Sequence, residues 1–114
     1  LGFLDSLPMT SQVKWLNETV DTLPEADEAM DEMVSDWAAG EPEKLAELLN
    51  EGMNDPLLRK AMLTQRNENW AKWIDRRLEQ PGTVFLAVGS GHLAGDGSVQ
   101  DQLKRYGLNA VRVE

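Results

Sequence analysis

Thr83-Val84-Phe85-Leu86-Ala87-Val88 runs directly into Gly89-Ser90-Gly91-His92, and this junction decides how the rest of the chain is read. Six β-favouring residues in a row, five of them apolar, predict a strand buried on both faces, because a strand with one wet side alternates polar and apolar residues. Pro81-Gly82 immediately upstream breaks whatever precedes it. Downstream, Ser98 is placed to cap a helix from about Val99 to Tyr106, Asp101 stands three residues on in a capping-box relation, and Gly107 falls at the C-terminal end. Leu108 to Val113 predicts a second short strand. The order β-loop-α-β predicts two parallel strands with a right-handed crossover.

Working back from Pro81, the pattern becomes helical. Asp55-Pro56 is a cap followed by a first-turn proline and predicts the longest helix, running to about Glu79. Glu41-Pro42 repeats the signal for a shorter helix carrying Leu45, Leu48 and Leu49. Ala26, Met30, Met33, Val34 and Trp37 form one stripe over about 25–39, with Gly40 placed to end that helix. Val13, Leu16, Val20 and Leu23 recur at helical spacing from Thr10 onwards. The expected fold class is therefore α/β, or α+β for a segment: about four acidic helices over 1–80, then a parallel β-α-β unit over 81–114 carrying the loop.

The 114 residues hold 20 Asp+Glu against 11 Lys+Arg, for a net charge of −9, with one His and no Cys. The length is that of one ordinary domain or part of one. Without cysteine there is no thiolate metal site, Fe–S cluster or Cys nucleophile. The negative charge argues against nucleic acid, whose binders cluster Lys and Arg on phosphates, and against an anionic membrane surface. No apolar run approaches the ~18 residues of a membrane span. The charge is uneven: residues 1–55 carry 14 acidic and 2 basic side chains, net −12, and residues 56–114 carry 6 and 9, net +3. The acid run Pro24 to Glu32 lacks the glycine-punctuated loop of a calcium-binding EF-hand, so it reads as a solvated helix face. The chain opens Leu-Gly-Phe-Leu rather than with Met, as a processed or cut segment would.

Two positions carry potential chemistry. The loop 89–98 lies where open α/β sheets bind ligands, beyond the carboxyl end of a strand. Its sequence, GSGHLAGDG from Gly89 to Gly97, has neither the GxxxxGK[ST] pattern nor the dinucleotide spacing of an anion cradle. It can be a structural turn with an incidental histidine, or His92 can act as a metal ligand or proton-transfer group near neutral pH. The coincidence of strand end, flanking glycines and lone histidine favours the second. In the long helix, Met62, Leu63, Trp70, Trp73 and Ile74 fall in one arc at 100° per residue, with Arg66 inside it. Arg66 either snorkels over the tryptophans or is buried and paired with a carboxylate or developing oxyanion.

The run Val84 to Leu93, followed by Gly95-Asp96-Gly97, Leu103 to Gly107 and Val111-Arg112-Val113, resembles the C-terminal end of the TraB/GumN/TIKI family, with its second G-x-x-H motif. Gln65-Arg66-Asn67-Glu68-Asn69-Trp70 is similar to the family's Arg-Asn helix segment, and Leu4-Asp5-Ser6-Leu7-Pro8 with the acidic stretch after it to the family's middle region. The resemblance implies a fold related to ChaN and erythromycin esterase, and a peptidase-like hydrolase supported by a divalent metal, manganese or cobalt. By this resemblance His92 and Arg66 are the catalytic residues and His92 a metal ligand. Asn67, Gly89, Ser90 and Gly91 then contact substrate. The family's first G-x-x-H motif and a glutamate-containing segment have no counterpart in these 114 residues, so the chain is expected to hold half a site and to be inactive alone.

The reaction expected of the completed site is attack of a metal-activated water on a peptide or ester carbonyl. The alternative is a non-catalytic interaction module that keeps the family fold. Arg66 and His92 brought together favour the first, and Arg66 in solvent with His92 buried among apolar groups favours the second. Bacterial relatives are often exported, which implies an extracytoplasmic location, and a sheet face or edge left uncovered would promote self-association.

Overall fold

The computed structural model describes residues 2–113, and among them every regular element is helical. A short helix α1 (Gly2–Asp5) precedes α2 (Met9–Asp21). A single 3-10 turn at Leu23–Glu25 leads into α3 (Ala26–Ala39), which Gly40 ends in a left-handed conformation at φ 71°. Next comes α4 (Pro42–Glu51). The long helix is continuous from Pro56 to Leu78 but has three parts: α5 (Pro56–Arg59), one π-helical stretch (Lys60–Thr64) and α6 (Gln65–Leu78). A 3-10 turn at Ser90–His92 and α7 (Val99–Lys104) complete the order.

The punctuation read from the sequence accounts for these ends. The Asp55 carboxylate accepts the backbone N–H groups of Leu57 and Leu58 at the start of α5, ahead of a first-turn proline. Ser98 Oγ accepts the N–H of Asp101 at the start of α7. Asp101 reaches back one residue further than a capping box, its Oδ2 accepting the N–H of Gly97.

The parallel β-α-β unit is not formed. Residues 83–88 and 109–113 form no regular element, and no backbone hydrogen bond joins either segment to the other or to any described residue. A strand exists only through its neighbour, since the ladder is what satisfies its N–H and C=O groups. The expected burial on both faces is also absent: Phe85 is 92% exposed and Val111 81%. The apolar run encodes a preference for extended backbone, and the described residues offer that backbone no partner. The α/β class, and with it the relation to the ChaN and erythromycin-esterase folds, is thus replaced by an all-helical arrangement.

The core is small and lies between α6 and α7. Ala71, Val99 and Leu103 are buried together, with Trp70, Ile74 and Leu108 packed against them. The stripes expected on α2 and α3 exist as stripes but are not covered. Val13, Leu16 and Val20 on α2, and Met30, Val34 and Trp37 on α3, all stand exposed. The radius of gyration is 16.2 Å, against about 13 Å for a compact domain of roughly 100 residues. The exposed stripes of α2 and α3 and the unpaired segments 83–88 and 109–113 make up this looseness, whereas the loop around His92 is held against α6 and α4.

Candidate functional site

His92 is held by the long helix rather than by the end of a strand. Its Nδ1 lies 2.7 Å from Asn67 Oδ1, and the pair is buried. Asn67, 2% exposed, donates its own Nδ2–H to the carbonyl of Gly97 at 2.8 Å. That second bond settles the first. With Nδ2 committed to a carbonyl, Oδ1 is the acceptor, and the imidazole must therefore carry its proton on Nδ1. Nε2 is left as the lone-pair nitrogen and makes no hydrogen bond to the described residues.

The loop is shaped to allow this contact. Gly97 takes φ 75°, a left-handed conformation that turns the chain back over the helix at Thr64. Gly91 packs against α4, where a Cβ would come within 3.1 Å of Leu49 Cδ1. The 3-10 turn Ser90–His92 is closed by backbone bonds from His92 N–H to Gly89 O and from Leu93 N–H to Ser90 O. Gly89 has an ordinary extended conformation at φ −62°, and Ser90 is exposed. The left-handed glycines of the loop are Gly95 and Gly97, on the far side of the histidine from Gly89 and Gly91.

Trp70, one turn beyond Asn67, links the two sequence-predicted positions. Its ring meets the His92 ring edge-on with centroids 4.7 Å apart. The Arg66 guanidinium lies over the same indole, 5.0 Å from its centroid. Arg66 is exposed rather than buried, and makes no hydrogen bond or ion pair with the described residues. Burial, and then the positive charge of Arg66, hold the His92 imidazole below its usual titration range. At neutral pH the ring is therefore the uncharged Nδ1–H tautomer, whose Nε2 lone pair can accept a proton or bind a metal.

The π-helical stretch explains why Asn67, and not Arg66, faces inward. A constant 100° per residue carries the face of Met62 and Leu63 onto Arg66. The wider turn at Lys60–Thr64 shifts that phase, so that Asn67 and Ala71 are buried, Trp70 and Ile74 are half-buried, and Arg66 and Trp73 are exposed. Such π insertions are frequent at functional sites.

The chain matches the TraB/PrgY/gumN family over residues 1–112. It belongs to that family. Like the site, the match spans both the Arg66–Trp70 stretch of the helix and the His92 loop. Over 59 residues, half of its length, this TraB/PrgY/gumN member is 37% identical to metalloprotease TIKI1 of Xenopus tropicalis, and the match spans 12% of that relative's length. No solved structure matches it. Among the described residues no three His, Asp or Glu side chains are grouped so as to hold a metal ion, and no helix is long and apolar enough to cross a membrane. A protein metal site takes three or four such donors, so these residues do not fit a bound metal by themselves. His92 offers a single nitrogen.

Proposed function

We propose that this chain supplies one half of a hydrolase centre, with His92 as its reactive group and a peptide or ester as substrate. The observation that carries this reading is the hydrogen-bonded line Gly97 O, Asn67, His92. It fixes a neutral imidazole in one tautomer and leaves Nε2 without a partner, which is the state needed to accept a proton from water or to donate to a metal. Arg66, beside the same indole, is available to oppose negative charge, whether carried by the ligand or developing on a carbonyl oxygen. The likeness to a metalloprotease supports the hydrolase class, and a metal at His92 would need further ligands from outside the described residues. A divalent metal, manganese or cobalt, would then take Nε2 as one of its ligands. Gly89, Ser90 and Gly91 form the rim of the loop on the substrate side. Membership of this family supports an extracytoplasmic location.

The exposure of Arg66 taken alone favours the other reading, a non-catalytic interaction module. The tautomer lock outweighs it, since a purely structural histidine gains nothing from a free Nε2.

Calorimetric titration of the 114-residue chain with manganese, together with incubation of chain and metal with a peptide library, tests the proposal. Weak binding and no hydrolysis are expected. Micromolar binding or turnover by the chain alone overturns the half-site. In the protein with its completing residues, His92→Ala should abolish metal-stimulated hydrolysis.

A further inference from the structure

What sets Arg66 apart among the cations of the described residues is the indole beneath its guanidinium. Carboxylates outnumber basic groups 20 to 11, so an arginine has no shortage of partners. Lys14, Lys44, Lys104 and Arg105 pair with an acidic side chain, while Arg66, like the other arginines and lysines of the described residues, does not. The acidic residue nearest to Arg66 in sequence, Glu68, is turned to others: Oε1 takes Arg105 at 3.4 Å and Oε2 takes Gln65 at 3.4 Å. Arg66 instead lays its guanidinium on Trp70. With the cation over the indole and no hydrogen bond to a described residue, the guanidinium keeps N–H donors free to bind a carboxylate through two parallel hydrogen bonds. The indole beneath it is the one that touches His92.

We propose that Arg66 anchors a carboxylate of the site's ligand, held by the guanidinium edge while Trp70 fixes the face, so that the rest of the ligand lies beside His92. This rests on the hydrolase reading for the ligand's being a substrate, and it narrows the substrate class to peptides with a carboxylate close to the bond attacked. The carboxylate comes either from a chain end or from an acidic side chain.

The test is nuclear magnetic resonance of the isotopically labelled chain, following the Arg66 Nε–H and Trp70 indole N–H signals at matched ionic strength. N-acetylglycine presents a chain-end carboxylate, N-acetylaspartate N-methylamide a side-chain one, and N-acetylglycinamide none. At least one acid should give saturable shifts of both signals at concentrations at least tenfold below those needed for the amide, and the tighter acid identifies the source. Arg66→Lys keeps the charge without the fork and should weaken the acid's effect on Trp70 about tenfold. Equal responses to acid and amide, no response to either acid, or an undiminished Trp70 response in Arg66→Lys overturns the anchor. No metal and no bond cleavage enters this readout, so its failure leaves the half-site standing, and failure of the metal titration leaves the anchor standing.

Discussion

Asn67 accepts the Nδ1–H of His92 at 2.7 Å across 25 positions of sequence, and in the same plane of side-chain groups donates to Gly97 O at 2.8 Å. One buried amide thus ties the long helix to both ends of the histidine loop. The identity of the residue matters because only a side chain with an acceptor and a donor side by side can meet both demands.

Asn67→Leu keeps the volume and removes both bonds. It leaves Gly97 O and the imidazole Nδ1–H buried without partners, each costing roughly 1–3 kcal/mol, so a loss on the order of 2–6 kcal/mol is expected from chemical denaturation. Asn67→Asp separates the two functions. It retains an acceptor for His92 and sets a carboxylate oxygen against Gly97 O. Imidazole nitrogen shifts should show Nδ1 still protonated, with the His92 titration moved upward by the new negative charge. An unchanged His92 titration in Asn67→Asp would remove Asn67 from contact with the ring.

The His92 titration has a definite sign. Its folded-state value is lowered by burial first and by Arg66 second. In the window between that lowered value and the ordinary one of about 6.5 the unfolded chain binds more protons, so stability rises with pH there. Stability is complete above the ordinary value and falls as acid carries the chain down through the window. The single imidazole signal gives the value directly. Arg66→Gln, at an exposed position, should raise it part of the way back, because burial remains. His92→Gln should flatten the pH dependence of the unfolding midpoint in this window.

Two glycines of the loop should respond differently to alanine. Gly97 sits at φ 75°, where a Cβ strains the backbone at a cost of roughly 1–2 kcal/mol. Gly91 has no such conformation, and its added Cβ would meet Leu49 Cδ1 at 3.1 Å, the movable end of a flexible side chain. Gly97→Ala should therefore lower the melting midpoint clearly and Gly91→Ala by less than about 1 kcal/mol. Gly97→Ala should also disturb the His92 signal, since Gly97 O is the fixed end of the line through Asn67.

The parts of this arrangement that were legible in the sequence are those written in local chemistry. Asp55-Pro56, Gly40, Ser98 and Gly107 mark helix ends because caps and left-handed turns are made by the residue itself and its near neighbours. His92 stood out as the lone histidine in a glycine-rich loop. Asn67 entered as the neighbour of Arg66, because nothing in Lys60-Ala61-Met62-Leu63-Thr64 announces a π-helical stretch, and one widened turn is enough to exchange which of two adjacent residues faces inward. A signal did exist: an asparagine at i, with Trp70 and Ala71 at i+3 and i+4, is a polar residue in a core stripe and needs a partner. The two segments expected as strands were misread for a different reason. An apolar run describes what a segment prefers to touch, and whether it touches anything depends on residues elsewhere.

That last distinction yields a sharp prediction at Phe85. Within a strand buried on both faces, Phe85→Ser would cost at least the roughly 3–5 kcal/mol of a buried Phe→Ala change. At 92% exposure the ring has almost no contacts to lose, and surface changes of this kind stay within about 0.5 kcal/mol. Urea unfolding of Phe85→Ser in the 114-residue chain should therefore match the parent chain within error, while Ala71→Asp, aimed at a side chain with 0% exposure between α6 and α7, should prevent folding. A large loss at Phe85 would mean that the ring is covered in solution, and the extended run would then have a partner that the helical arrangement does not provide.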